Sequence, residues 1–310
     1  MNNFRLKTPV AFLIFNRSDS AQKVFEEIRR SKPPKLLVVA DGPRENVPED
    51  RDKCLSARAV IDTIDWECEI FKNYADTNLG CKRRVSSGVD WIFDTVEEAI
   101  ILEDDCVPHP SFFRFCEEML QRYRDDERIM MISGDNFQFG RKRSQFSYYF
   151  SCYSHIWGWA SWRRAWKLYD VTMEKWPKVR DAGQLNDWFS NRRAVAYWEE
   201  QFEKTYAGEI DSWDYQWAFT CWLHGGLTVL PSVNLISNIG FSQDATHTKS
   251  SFSYRMMNVE PMTFPLHHPH NIDRDIIADN LTQKVHYSPS IYQRAINKFL
   301  KLVTLFQYVL

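Results

Sequence analysis

The stretch Ala99-Ile100-Ile101-Leu102-Glu103-Asp104-Asp105-Cys106-Val107-Pro108 decides how the chain is read. Its first four residues are apolar without interruption, which marks a strand buried on both faces. They run straight into three adjacent carboxylates. Neighbouring carboxylates repel one another, so a fold tolerates them best where a cation or hydrogen-bond donors neutralise them. Oxygen donors of this kind suit hard divalent cations, Mn2+ or Mg2+, which also bridge phosphate oxygens. A solvated acidic turn is the plainer account, and the position directly after a buried strand weighs against it.

Outward from this stretch the pattern alternates. Residues 9–15 are a continuous apolar run, and Ser18 to Arg30 carry helical spacing at Ala21, Val24, Phe25 and Ile28. Pro33-Pro34 breaks the chain before Leu36-Leu37-Val38-Val39-Ala40, which stops at Asp41-Gly42. Residues 50–64 and 81–96 read as helices, and Glu69 to Tyr74 as a third strand. Downstream, 110–124 is helical, Ile129 to Gly134 a further strand, Asp214 to His224 a helix and Leu227 to Leu230 another strand. Apolar strands separated by helices imply an α/β fold with a mainly parallel, doubly wound sheet flanked by helices. Ligands of such sheets bind at the carboxyl ends of strands, where Asn16, Asp41, Asn78 and the acidic triplet all fall.

Composition bounds the rest. The chain has 310 residues, 39 Lys+Arg against 41 Asp+Glu, and a formal net charge of -2. Hydrophobic residues make up 44% and charged residues 26%, which excludes wholesale disorder. Near-neutral charge argues against a nucleic-acid partner, whose phosphates demand a basic surface. Aromatic residues reach 15%, with 12 Trp, 13 Tyr and 21 Phe, a density that suits stacking on sugars or bases and also serves cores. Seven scattered Cys without a CxxC pair point to reduced thiols, and so to a cytoplasmic setting, rather than to disulfides or structural zinc. The N-terminal apolar run is too short to span a membrane and lacks a cleavage site. In 289–310, Ile291, Ala295, Phe299, Leu302 and Phe306 recur at helical spacing among Arg294, Lys298 and Lys301. This amphipathic helical tail suits peripheral attachment to an anionic membrane surface. It suits docking on the core or a partner equally well, and the sequence leaves both open.

With these residues in view, Ile101 to Pro108 looks like the metal-binding DxD-type motif of nucleotide-sugar-dependent glycosyltransferases with the GT-A fold. In its EDD form it is closest to the Golgi-type N-acetylglucosaminyltransferases. Pro9 to Arg17 is similar to the opening strand whose end, here Phe15, Asn16 and Arg17, meets the nucleotide. Ala40-Asp41-Gly42 resembles the acidic end of the second strand, which holds the base. Asn78-Leu79-Gly80, followed by Lys82 and Arg83, resembles the turn before the helix that precedes the metal motif. Phe112 to Phe115 and His155 to Ala160 match the wider pattern of bacterial nucleotide-diphospho-sugar transferase-like proteins. The likeness runs from about residue 9 to residue 248.

The resemblance implies a metal-dependent transferase moving a hexosyl or N-acetylhexosaminyl group from a nucleotide sugar, a UDP-sugar by preference, to a glycan or lipid-linked acceptor. Asp105 is the implied direct metal ligand, with Glu103 and Asp104 at the ribose or metal-bound water. Lys82 and Arg83 would assist at the phosphates, one of them reading equally as the solvated start of a helix. Gly158 and Trp159 fall in the donor- and acceptor-sugar loops, while Trp162 and Trp166 read as core. Gly134-Asp135-Asn136 joins the sugar pocket on strand-end position alone. Asp214, opening its helix, is the implied general base of an inverting enzyme. The sequence departs from that pattern at Trp213, where an acidic residue is usual, and at Gln216, where a second Asp often sits. Asp211 therefore stands as an alternate base, and a helix cap explains Asp214 equally well. His247, after the last strand-like run, is expected to reach the metal or diphosphate, although a lone His is more often structural. On this reading 1–136 is the nucleotide-sugar-binding half, 137–250 the aromatic-rich acceptor and base half, and 251–310 a C-terminal extension. Two alternatives remain, a sugar nucleotidyltransferase and a non-catalytic protein that keeps the fold. The first is weakened by the lack of a glycine-rich phosphate cradle near the N-terminus.

Overall fold

The computed structural model of the chain describes residues 4–240 and 257–287. Strands β1 (Val10–Ile14), β2 (Lys35–Ala40), β3 (Glu69–Tyr74) and β4 (Glu98–Glu103) are joined by helices α1 (Ser18–Ser31), α2 (Asp50–Ala59) and α3 (Gly80–Thr95). After β4 come β5 (Cys106–Pro108), α4 (Ser111–Arg122), β6 (Ile129–Ser133), β7 (Tyr148–Ser151) and β8 (Trp159–Trp162). Four helices follow, α5 (Arg163–Trp166), α6 (Trp176–Asp181), α7 (Leu185–Trp188) and α8 (Arg192–Tyr206). The order closes with α9 (Asp214–Leu223), β9 (Leu227–Pro231), β10 (Ile236–Asn238) and α10 (Ile276–Thr282).

The central sheet has eight strands in the order β3-β2-β1-β4-β8-β6-β9-β7, and β10 pairs with β5 in a separate ribbon. Pairings β1–β2, β1–β4, β2–β3 and β6–β9 are parallel, whereas β4–β8, β6–β8 and β7–β9 are antiparallel. Because β8 runs against both β4 and β6, the carboxyl ends of β1, β2, β4 and β6 share one edge with the amino end of β8. Successive side chains of a strand point to opposite faces, and here both faces are covered. Val10, Phe12 and Ile14 enter one core with α1 and α4, while Ala11 and Leu13 enter another with α3 and the indoles of α5 to α9. The α/β architecture expected from the sequence is therefore the one observed.

The aromatic half holds the main departure. Gly158-Trp159 was expected in a sugar-binding loop, but Trp159 begins β8 and is 1% exposed. Its ring packs against Trp213 at 5.5 Å, Trp166 at 6.0 Å and Trp217 at 6.2 Å between centroids. An indole buried in this way contributes several kcal/mol of packing and has no face left for a sugar. Gly158 has φ +68°, and a Cβ there would stand 2.6 Å from Ile236 Cδ1 and 3.1 Å from Leu102 Cδ2. Close packing explains that glycine. Trp162 and Trp166, 2% and 3% exposed, are core as expected.

His247 and the tail 289–310 lie outside the described residues. Among the described residues no helix is long and apolar enough to cross a membrane.

Candidate functional site

The edge shared by the ends of β1, β2 and β4 gathers most of the polar residues singled out above. Glu103 ends β4, and Asp104-Asp105 make a turn into β5. Both oxygens of Asp104 are engaged: Oδ2 accepts the Phe15 N–H at 3.1 Å and Oδ1 accepts Arg17 Nη2. Arg17 Nη1 reaches Asp105 Oδ2 at 2.9 Å, and the Cys106 thiol donates to Asp105 Oδ1 at 3.3 Å. Burial, then repulsion from Asp105 and Asp104, pushes the Glu103 carboxyl up. Burial pushes Asp104 up as well, against the opposing pull of Arg17. Burial opposes the charge on Arg17, but Asp104 and Asp105 outweigh it and hold the guanidinium more basic than usual.

The β10 end closes over Asp105. The Ile239 N–H donates to the Asp105 carbonyl at 2.8 Å, and a Cβ on Gly240 would stand 2.1 Å from Asp105 Oδ2. Only glycine lets the backbone lie against this carboxylate.

At the end of β2, Asp41 organises the neighbouring turn. Its Oδ1 accepts the N–H groups of Gly42 at 2.8 Å and Leu79 at 2.9 Å, and its Oδ2 accepts Asn78 Nδ2 at 3.0 Å. Asp41 is buried, which raises its carboxyl, and those N–H bonds oppose the rise. Asp41, Asn78 and Gly80 thus form one unit, with Asp41 turned into its own turn. Sequence reasoning missed the network beside it. Asp50, fully buried, receives Asn16 Nδ2 at 2.8 Å and both Nε and Nη2 of Arg44. The Arg44 guanidinium lies 5.6 Å from the Phe15 ring centroid. Nothing local in the sequence distinguishes Asp50 from a solvated acid in a first helical turn.

Two distant segments meet at α3. Asp211 Oδ1 accepts the Lys82 N–H at 3.3 Å, and Asp211 Oδ2 would be 3.0 Å from a Cβ on Gly80, whose φ is +78°. Glu103, Asp214, Asp211 and Asp41 all bear on the Cys81 thiol, which burial in the first place pushes up. Asp214 lies within electrostatic reach of Glu103 as well. It opens α9 and accepts the Ser212 hydroxyl. The segment before α9 thereby sets Asp211 against the first turn of α3 and Asp214 within electrostatic reach of Glu103. Lys82 is half-buried and Arg83 exposed on the first turn of α3. Asp135, at the end of β6, is fully buried, accepts the Trp157 N–H at 3.0 Å through Oδ2, and is pushed up by burial.

Among the described residues no group of three or more His, Cys, Asp or Glu side chains could hold a metal on its own. A cation held by one or two carboxylates and completed by substrate phosphates needs no such group. Asp105, its side chain 14% exposed, and Glu103 are partly exposed, whereas Asp104 is buried. Hard carboxylate oxygens at this strand end are of the kind that suits Mn2+ or Mg2+.

No protein-family model and no curated protein matches the chain. Solved structures that it resembles include a mannosyltransferase from Pyrobaculum calidifontis in complex with GDP-Man and Mn2+, at 13% identity and TM-score 0.36. That match covers 52% of this chain and 46% of the other, less than two thirds of its length. An inositol-1-phosphate CTP transferase from T. maritima aligns at 9% identity and TM-score 0.39, covering 81% of this chain and 96% of that one. A UDP-glucose pyrophosphorylase in complex with UDP-glucose aligns at 13% identity and TM-score 0.28, over 47% of this chain and 62% of its own. Likenesses of this size carry no argument about activity. The strand order and the residues at its edge have to do so.

Proposed function

We propose that the chain is a divalent-metal-dependent glycosyltransferase that moves a sugar from a nucleoside diphosphate donor to a hydroxyl of a glycan or lipid-linked acceptor. UDP is the favoured nucleotide. The observation that carries the reading is the turn Glu103-Asp104-Asp105 at the carboxyl end of β4, tied to β1 through Phe15 and Arg17 and lying within electrostatic reach of Asp214 on α9. A strand-end carboxylate beside a guanidinium, with a separate acid nearby, is what transfer from a phosphate leaving group to a hydroxyl requires.

Asp105 would hold the cation, which supplies charge neutralisation for the departing diphosphate. Arg17 donates toward the same phosphates, and Lys82 adds positive charge from the first turn of α3. Phe15, Asn16 and Arg44 surround the nucleoside at the ends of β1 and β2. Asp214 takes the proton of the acceptor hydroxyl, and attack opposite the leaving group inverts the anomeric carbon. The Ser212 hydroxyl orients that carboxylate. Asp211 serves this arrangement by fixing the loop before α9 against α3.

A sugar nucleotidyltransferase is the second reading. Against it, only Phe15, Asn16 and Arg17 separate β1 from α1, and none is glycine. So short a link leaves no backbone loop to wrap a triphosphate. The test is calorimetric binding of UDP, GDP, CMP and dTDP with Mn2+ and with chelator, on wild type and Asp105→Ala. Binding of one nucleotide that needs both the metal and Asp105 is the expected result. Pyrophosphate release from a nucleoside triphosphate and a sugar 1-phosphate would favour the second reading. Absence of binding under every condition would overturn both.

A further inference from the structure

Arg17 stands where the acidic edge needs a cation. Its planar guanidinium spans two adjacent carboxylates, with Nη1 2.9 Å from Asp105 Oδ2 and Nη2 donating to Asp104 Oδ1. Asp104 is held from its other side by the Phe15 N–H at 3.1 Å, so it cannot turn away. The oxygen of Asp105 that meets Arg17 is the one Gly240 crowds, where a Cβ would come within 2.1 Å. Among the described residues, the donor to Asp105 Oδ1 is the weak Cys106 thiol, at 3.3 Å. Arg17 and an incoming divalent ion therefore contend for one carboxylate.

We infer that Arg17 is a resident counter-ion that exchanges with the metal. Without metal it bridges Asp104 and Asp105 and keeps the triplet folded. When the ion arrives with the nucleotide, Arg17 releases Asp105, keeps its contact with Asp104, and turns the freed Nη1 to the diphosphate. The metal thus binds well only when a diphosphate is present to receive the displaced guanidinium. This inference rests on the reading of the site given above. It makes Arg17 a donor-binding residue that also couples metal binding to donor binding.

The test is Mn2+ titration of the full chain, followed by the paramagnetic resonance signal of the free ion, with and without UDP. Wild type, Arg17→Lys and Arg17→Gln are compared. Lysine keeps the charge but cannot span both carboxylates. Exchange predicts that both variants bind Mn2+ without UDP roughly tenfold more tightly than wild type, and that UDP strengthens Mn2+ binding less in either variant than in wild type, by about the same factor. If Arg17→Lys matches wild type, Arg17 acts through its charge alone and the exchange is overturned. Equal or weaker Mn2+ affinity in both variants overturns it as well. Should Arg17→Gln fail to fold, Arg17→Lys decides the question. Joint Mn2+ and UDP binding that Arg17 substitutions leave unchanged sinks this inference and spares the transferase reading. Failure of wild type to bind either ligand sinks both.

Discussion

Asp211 reaches from the loop before α9 to the first turn of α3, where its Oδ1 accepts the Lys82 N–H at 3.3 Å. Its other oxygen would lie 3.0 Å from a Cβ on Gly80, so the glycine serves both the left-handed backbone, φ +78°, and this approach. A carboxylate at the amino end of a helix also meets its dipole favourably. The contact fixes the loop that leads to Asp214, and the two acids therefore answer differently to substitution. Asp211→Asn should cost about 0.5–1 kcal/mol of stability and less than about tenfold in turnover. Asp214→Asn should keep the melting temperature and lose roughly 10²–10⁴ in kcat. Steady-state rates and thermal melts of both variants check this. A larger catalytic loss at Asp211 than at Asp214 would reverse the assignment of the base.

The acidic triplet gives the protein a pH dependence of definite sign. Burial raises the Glu103 and Asp104 carboxyls above their ordinary range. Between the ordinary and the raised values the folded chain binds more protons than the unfolded chain, so stability falls as pH rises through that window. A divalent ion favours the ionised form and reverses the loss. In the presence of UDP, the rise in melting temperature produced by Mg2+ should therefore be small near about pH 5.5 and several degrees near about pH 8. Melts with Mg2+ and with chelator across that range measure it. A shift that ignores pH, or that survives in Asp105→Ala, would mean the ion binds elsewhere.

Asp50 has the opposite sign. The Arg44 hydrogen bonds lower its carboxyl to about 2, against the cost of burial and with help from Asn16. A depressed carboxyl contributes stability that is present above its ordinary pKa and is lost as pH falls toward the folded value. Arg44 is 45% exposed, so solvent screens part of the pair. Asp50→Asn should lose about 1–2 kcal/mol at neutral pH, and the gap to wild type should narrow as the pH drops below about 4. Urea unfolding at neutral and acid pH reads this directly. Because the same network holds Arg44 beside Phe15 and fixes Asn16, nucleotide binding should weaken in the same variant.

Much of the nucleotide half was legible because its strands are buried on both faces. Leu36-Leu37-Val38-Val39-Ala40 and Ala99-Ile100-Ile101-Leu102 read as strands since no polar residue interrupts them, and Asp41 and Glu103 mark where they reach the edge. Strand β8 was not legible. It enters the sheet antiparallel between β4 and β6, a partnership set by distant chain, and its tryptophans look the same in a core as on a sugar-binding surface. Asp50 and Arg44 stayed hidden for a related reason, because what makes Asp50 unusual is burial and an arginine from the preceding loop. Asp211 and Asp214 were visible as acids before a helix. Their approach to Gly80, Lys82 and Glu103 spans more than a hundred residues and has no local signature.

The segment after residue 257 is latched to the sheet by a buried ion pair, which gives it a measurable stability of its own. Asp279 is 2% exposed and accepts the Ser151 hydroxyl, the Cys152 N–H at 3.2 Å and Arg274 Nε. Arg274 Nη1 in turn donates to the Trp188 carbonyl at 3.0 Å. Beyond it, Gln138 Nε2 donates to the Ala278 carbonyl at 3.2 Å, and Tyr153 and Trp198 donate to Gln283 Oε1 at 2.7 and 2.8 Å. Removing one partner of such a pair strands the other with its charge half-buried and without its carboxylate, at a cost of about 3 kcal/mol. Asp279→Ala should therefore unfold at lower urea, and amides of residues 274–287 should exchange with solvent well before those of β1 and β2. The conservative Asp279→Asn keeps one oxygen to accept the Cys152 N–H, places an NH2 donor toward the Ser151 hydroxyl and loses the charge facing Arg274, and should fall between Asp279→Ala and wild type. If exchange in 274–287 matches wild type while overall stability drops, Asp279 supports the end of β7 rather than holding α10 in place.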